Sequence, residues 1–320
     1  MATGALLLSC QQAESLVEAA TAAPSAHNAQ PWRFVAKLAE RVIEIYADPA
    51  RTLRRGDPRG RAVHVACGAA LFNLRLAVAH AGAEPVTRLL PNPRDPLLLA
   101  CVRLAGQYRP RPAERDLYAA IGRSDGARQP TISQSQLRSL LAGLREAATL
   151  EGASLRVLDQ PEALRLLQSV AGAGQALRAD ASYLSGLAEF APRLPAAAPG
   201  GPAWGAQLAV ISTVSDDRAS WLRAGQAMQR VLLLAAHRGL PAAPVSPVMD
   251  VPDHPLRHDR GPGGGHPQLA VRLGGQADPG QQPYRRPISQ VMRVIRQDEG
   301  PRPVPPPAPT PPQRELMRSK

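Results

Sequence analysis

Apolar positions Val63, Ala66, Cys67, Ala70, Leu71, Leu74, Val78 and Ala81 recur at helical spacing, and Gly82 follows where a helix C-terminus favours glycine. The spacing predicts a long helix. A second is predicted to end before Gly239, with Val231, Leu232, Leu233, Leu234 and Ala235 consecutive. A helix apolar over so much of its circumference belongs in a core. The two stretches also match in letters. GAALFNLRLAVAHAG at residues 68–82 and GQAMQRVLLLAAHRG at residues 225–239 share both end glycines, Ala70 with Ala227, Leu76 with Leu233, Ala79 with Ala236 and His80 with His237, at a constant offset of 157 residues. Two alanine-rich helices can match by chance, and an internal repeat is the other reading.

The surroundings favour the repeat. Each long helix leads through a short loop into a β-rich run, LLLACVRL at residues 97–104 and QLAVRL at residues 268–273. Each is preceded by a helix and a strand. In the first half Ser9 and Gln12 form a capping box opening a helix toward Ala22, and strands are predicted over Trp32–Lys37 and Val42–Ala47. In the second, Ser133 opens a helix through Leu137, Leu140, Leu141 and Leu144, and a strand follows at residues 153–158. The unit is helix, strand, long helix, strand, twice. One difference stands out: the first half inserts APSAHNAQP at residues 23–31 between helix and strand, where the second passes directly through Thr149, Leu150, Glu151 and Gly152. Function concentrates on loops held by a scaffold, so the inserted loop is a candidate site.

Composition narrows the classes. With 320 residues the chain can bury a large core as one domain or two fused units. The net charge of +12 comes almost wholly from arginine, Lys37 and Lys320 being the only lysines, and it is scattered. Aromatics at 3% leave few stacking platforms, so no nucleic-acid partner is expected, although the charge suits an anionic small molecule. Cys10, Cys67 and Cys101 are far apart and form neither a disulfide framework nor a zinc site, which fits a reducing compartment. No export signal is read at the N-terminus and no run is read as a membrane span, so a cytoplasmic protein is expected. Residues 191–205 and 261–265 read as flexible excursions, and the proline-dense tail as an extended or disordered segment.

Within APSAHNAQPWRF at residues 23–34, Pro24 and Pro31 stiffen the loop and Ser25, His27, Asn28 and Gln30 offer short polar groups. They suit the edge of a planar heteroaromatic ligand, or they satisfy their own backbone in an ordinary connection. Other constellations point to structure. His254 and His258 have metal-like spacing but are flanked by Pro252 and Pro255, and the glycines at residues 261–265 follow no strand into a helix. No metal is expected. His64 and Cys67 share a helix face as a packed pair, and His80 and His237 sit near helix C-termini, where a cation is favoured.

The loop resembles the APSxxNxQPW signature of the nitroreductase superfamily, and with His27 and Arg33 it is similar to the superfamily's Acg branch of duplicated chains. The resemblance continues through residues 57–82, 220–230 (SWLRAGQAMQR), 266–273 (HPQLAVRL) and 284–287 (YRRP), in the family's order. It implies an α+β nitroreductase-like fold of two pseudo-symmetric halves in one chain, residues 1–112 and 113–297, with a Pro-rich tail at 298–320. It also implies one FMN site between the halves and one degenerate pseudo-site. Pro24, Ser25, His27 and Asn28 are then expected along the isoalloxazine and ribityl, and Arg123, Arg128, Arg285 and Arg286 at the phosphate, where the planar guanidinium fork suits an anion. For Arg285 and Arg286, solvated charge ahead of a helix is the alternative.

The likeness departs at residues 123–131, RSDGARQPT, where Asp125 would repel a phosphate, at an excursion after Asp180 shorter than the family's usual lid, and at Pro247, where a polar residue is common. What the resemblance implies is an NAD(P)H-dependent oxidoreductase passing electrons through FMN to a nitroaromatic or quinone-type small molecule. The alternatives are a flavin-sequestering protein without turnover and a degenerate relative that binds no FMN. No catalytic residue is named, because the flavin carries the chemistry. With a dimer-like interface inside one chain, a monomer is expected.

Overall fold

The computed structural model describes residues 8–52, 56–122, 134–180, 206–245, 265–275 and 284–296. Arg123, Asp125, Gly126, Arg128, Ser133, Pro247, His254 and His258 lie outside them, as do the segment after Asp180 and the tail.

Helix α1 (Cys10–Thr21) starts at the expected capping box: Ser9 Oγ accepts from Gln12 N and Gln12 Oε1 accepts from Ser9 N. Strands β1 (Trp32–Lys37) and β2 (Val42–Ala47) form a hairpin, followed by α2 (Arg61–His80), β3 (Ala83–Leu89), β4 (Leu98–Gln107) and α3 (Pro112–Ala119). The chain then runs through α4 (Gln134–Thr149), β5 (Ser154–Val157), α5 (Gln160–Arg178) and β6 (Gln207–Thr213). Helix α6 (Arg218–His237), β7 (Ala242–Pro244), β8 (His266–Leu273), the short α7 (Ile288–Val291) and β9 (Met292–Ile295) complete it.

Two sheets result, in the orders β3-β4-β2-β1-β9 and β5-β6-β8-β7. Without β9 the first reads β1-β2-β4-β3, the same connectivity as the second, and the described pairings between these strands are antiparallel. The strand after each long helix, β3 and β7, was not expected from the sequence. Both are sheet edges and both contain proline, Pro85 and Pro244, which removes a ladder donor and blurs the alternation that marks a strand. The last strand, β9, returns from the C-terminal part of the chain and pairs parallel to β1, with Phe34 opposite Met292 and Lys37 opposite Ile295.

The core lies between the sheets, around α2 and α6. The two helices have equal length and begin and end at the 157-residue offset, Arg61 against Arg218 and His80 against His237. They approach backbone to backbone. A Cβ on Gly68 would collide with the Leu222 carbonyl, and one on Gly225 with the Val65 carbonyl, two contacts that exchange under the same offset. Glycine is what permits the approach. Of the apolar stripe read from the first helix, Ala81 alone is exposed. By length and apolarity α2 is enough to cross a membrane, contrary to the sequence reading, but 83% of that window is packed inside the protein.

At their N-terminal ends, Asp57 accepts from Ala62 N and Val63 N, and Asp217 accepts from Ser220 N, so both helices are capped by carboxylates. Arg61 pairs with Asp216 at 3.2 Å, and Arg218 donates to His64 Nε2 at 2.9 Å. His64 and Cys67 do not form a pair: His64 Nδ1 meets the Gly60 carbonyl at 2.6 Å and lies edge-on to Trp221, whereas Cys67 Sγ faces the Pro31 carbonyl. At the C-terminal ends His80 stacks on Tyr118 and His237 faces Asp116.

Candidate functional site

The inserted loop leaves α1 at Thr21 and enters β1 at Trp32, which is completely buried and anchors it. Between these points the chain makes one 3₁₀ turn, Ala26–Asn28, with His27 at φ 51°, Asn28 at φ 54° and Gln30 at φ 50°. Left-handed backbone is costly for side-chain-bearing residues, although Asn and His adopt it more readily than most. Such conformations persist only where surrounding contacts over-determine them, and here those contacts are on both sides of the loop. Within it, Ser25 Oγ accepts from Gln30 N at 2.9 Å and Asn28 N donates to the Ser25 carbonyl at 3.0 Å.

From outside, the C-terminal segment ahead of α7 is brought in by the β1–β9 pairing. Asn28 Nδ2 and Gln30 Nε2 donate to the Tyr284 carbonyl at 2.8 and 3.1 Å. One Arg285 nitrogen donates to Asn28 Oδ1 at 2.8 Å and another to the Ala22 carbonyl at 2.9 Å. Arg286 donates its backbone N–H to Gln30 Oε1 at 2.9 Å, and its guanidinium reaches the Gln30 carbonyl and lies 3.5 Å from the buried Asp48 carboxylate. Arg286 Nε is buried with no acceptor among the described residues. Arg51 Nε donates to the Ala29 carbonyl, closing the loop from a third side.

In front of the loop is a pocket of about 200 Å³. Pro24, Ser25, Ala26 and His27 form one wall, Ala62, Val65 and Ala66 of α2 a second, and Met228 of α6 with Pro244, Val245 and Leu269 of the second sheet a third. Alanines at α2 positions 62 and 66 leave the volume open. The walls are apolar apart from Ser25 and His27, the composition of a site for a flat organic ligand held by a few polar groups. Burial holds the His27 imidazole below its ordinary pKa, so it is neutral near pH 7. Burial likewise lowers Arg285, and it lowers Arg51, where the Arg286 charge adds to the effect.

Of the residues singled out in the sequence, Pro24, Ser25 and His27 line the pocket. The Asn28 side chain turns to Tyr284 and Arg285 instead. Arg285 and Arg286 stand behind the loop and are not among the residues lining the pocket. Arg123 and Arg128 fall outside the described residues. Sequence reasoning missed the lining from the second half, Met228, Pro244, Val245 and Leu269, because isolated apolar residues on separate elements carry no local signal. It also missed Asp48 and Arg51.

The place corresponding to the loop in the second half is closed. There α4 passes through Glu151 and Gly152 (φ 75°) directly toward β5. The buried Glu151 carboxylate takes Arg75 at 2.6 Å and Arg230 at 2.7 Å, and Arg75 also reaches Gln226 Oε1 at 2.7 Å.

Comparison with known proteins places this arrangement. The profile described as "Nitroreductase family" matches residues 8–50, the segment that contains the loop. A Mycobacterium tuberculosis (strain H37Rv) protein named "Putative NAD(P)H nitroreductase Rv3131" is 29% identical over 85% of this chain and 88% of its own length. Another from the same strain, "Putative NAD(P)H nitroreductase acg", is 27% identical over 89% of this chain and 96% of its own. A nitroreductase-like family protein of Bacillus cereus aligns at 17% identity over 54% of this chain and 89% of its own, with a TM-score of 0.34. With the profile on the loop and the likeness to the Acg protein running through most of the chain, this protein is similar to the nitroreductase family and to its Acg members, and its fold is of the mixed α+β class.

Proposed function

We propose that the pocket holds FMN and that the protein is an NAD(P)H-dependent oxidoreductase acting on a nitroaromatic, quinone or similar small acceptor. The observation that carries this is one cavity walled by the superfamily loop, by both long helices and by the second sheet. The residues present fit the group. Val65, Met228 and Leu269 offer apolar surface to a flat ring, and the Ser25 hydroxyl, whose oxygen already accepts from Gln30 N, retains its proton for an acceptor on that ring. The guanidinium groups of Arg285 and Arg286, held behind the loop, give that side a positive field that favours an anionic ligand.

When bound, FMN supplies two-electron acceptance from a nicotinamide and delivery to an acceptor. The chain's share is to orient the ring against α2, to exclude water with the apolar walls, and to present neutral His27 and the Ser25 hydroxyl at its edge. The relatives' names support the nicotinamide. The matched offsets of α2 and α6, the exchanged contacts of Gly68 and Gly225 and the shared strand order support descent from a duplicated half, with a monomer as the working unit. The thiols of Cys10, Cys67 and Cys101 are unpaired, which supports a reducing, cytoplasmic setting.

The test is a titration of the purified chain with FMN followed by anaerobic addition of NADH or NADPH. Saturable uptake and loss of the flavin absorbance are expected. Uptake without bleaching by either nicotinamide would replace turnover with flavin holding, and absence of uptake would remove the flavin altogether.

A further inference from the structure

We propose that residues 284–286 are a latch that sets the shape of the pocket loop, and that Arg285 acts on the ligand through Asn28 as a positioning residue without touching it. The proposal rests on the reading of the pocket as a flavin site. Three left-handed residues, His27, Asn28 and Gln30, give the loop a conformation that an unsupported chain would leave. The contacts that restrain it come from more than 250 positions away: Tyr284 accepts from Asn28 and Gln30, Arg285 spans Asn28 Oδ1 and the Ala22 carbonyl, and Arg286 N donates to Gln30 Oε1.

Each polar end of the Asn28 amide has a partner in this segment, so the amide is oriented by Tyr284 and Arg285, and Asn28 is not among the residues lining the pocket. Arg285 bridges the two ends of the loop, at Ala22 and Asn28, with Ser25 and His27 between them. Its rigid planar fork aims separate N–H groups at both acceptors at once, a geometry that a flexible ammonium group reproduces only in part. The latch reaches the loop because β9 lies beside β1, so the C-terminal part of the chain shapes a site whose lining it does not enter.

The experiment uses the full chain and the variants Arg285→Ala, Asn28→Ala, the double variant and Arg285→Lys. FMN affinity is read by quenching of flavin fluorescence, and amide hydrogen exchange is read on ligand-free protein. If the latch operates, each alanine variant weakens FMN roughly ten-fold, the size of one lost charge-assisted hydrogen bond. The double variant is then no weaker than the worse single one, because both remove one connection. Exchange at residues 26–30 rises while that of β6 and β8 does not, and Arg285→Lys recovers part of the affinity.

Additive losses with unchanged exchange at the loop would mean that both side chains touch the ligand directly, and would overturn the proposal. Faster exchange throughout the second sheet would mean general unfolding and overturn it too. If the unmodified chain takes up no FMN, the flavin reading fails, yet unchanged loop exchange in Arg285→Ala would still be needed to dismiss the latch.

Discussion

Gly225 shows at the level of one residue how the fold constrains its sequence. Its Cα lies against the Val65 carbonyl and the Ala69 amide across the helix pair, leaving no room for a methyl group. Gly225→Ala should cost about 1–3 kcal/mol, the range for overpacking a tight contact, measured by urea denaturation. A loss under about 0.5 kcal/mol would mean the helices separate at little cost. His64 makes a second case. Burial first, with the Arg218 guanidinium on Nε2 adding to it and the Gly60 carbonyl opposing it, holds the imidazole down at a pKa of about 4. The unfolded chain takes up the proton near its ordinary value of about 6.5 and the native state does not, so this contribution is complete above that value and is lost as pH falls toward 4. Urea midpoints should therefore fall between pH 6.5 and 4, and His64→Gln should flatten that decline; an unchanged slope would assign the proton elsewhere. From the residues alone the loop was legible as a site, since its prolines and short polar groups are local features. The left-handed backbone and the destination of the Asn28 amide were not, because they depend on Tyr284 and Arg285.

Among the elements, the two long helices were readable because a 20-residue apolar periodicity is a strong local signal. The proline-containing edge strands and the four-residue β9 were not, since their pairing is decided by distant partners. The turn between α4 and β5 shows an element-level role for charge. The single Glu151 carboxylate pairs with both Arg75 and Arg230, which both also lie over the Phe72 ring. Glu151→Gln should destabilise the chain by about 2–3 kcal/mol, less than a fully buried pair because both arginines keep some solvent contact. A thermal melt checks it, and a Tm unchanged within a degree would count against a structural role for this network.

For the whole molecule the expectation is one pocket per chain. The loop that walls it occurs once, and the corresponding turn is filled by the Glu151 network. FMN titration should reach one equivalent per chain, and sedimentation should give a monomer with or without it; two equivalents, or an obligate dimer, would show that the site is built differently. The sequence by itself determined the two long apolar helices, the inserted loop and the family likeness, because periodicity, turn chemistry and motif spacing are written in neighbouring residues. Tertiary structure alone decided that Met228 and Leu269 complete the pocket and that Arg285 turns to the loop. Those contacts join positions more than 160 residues apart, and their formation depends on two glycines letting the central helices touch and on β9 returning to the first sheet.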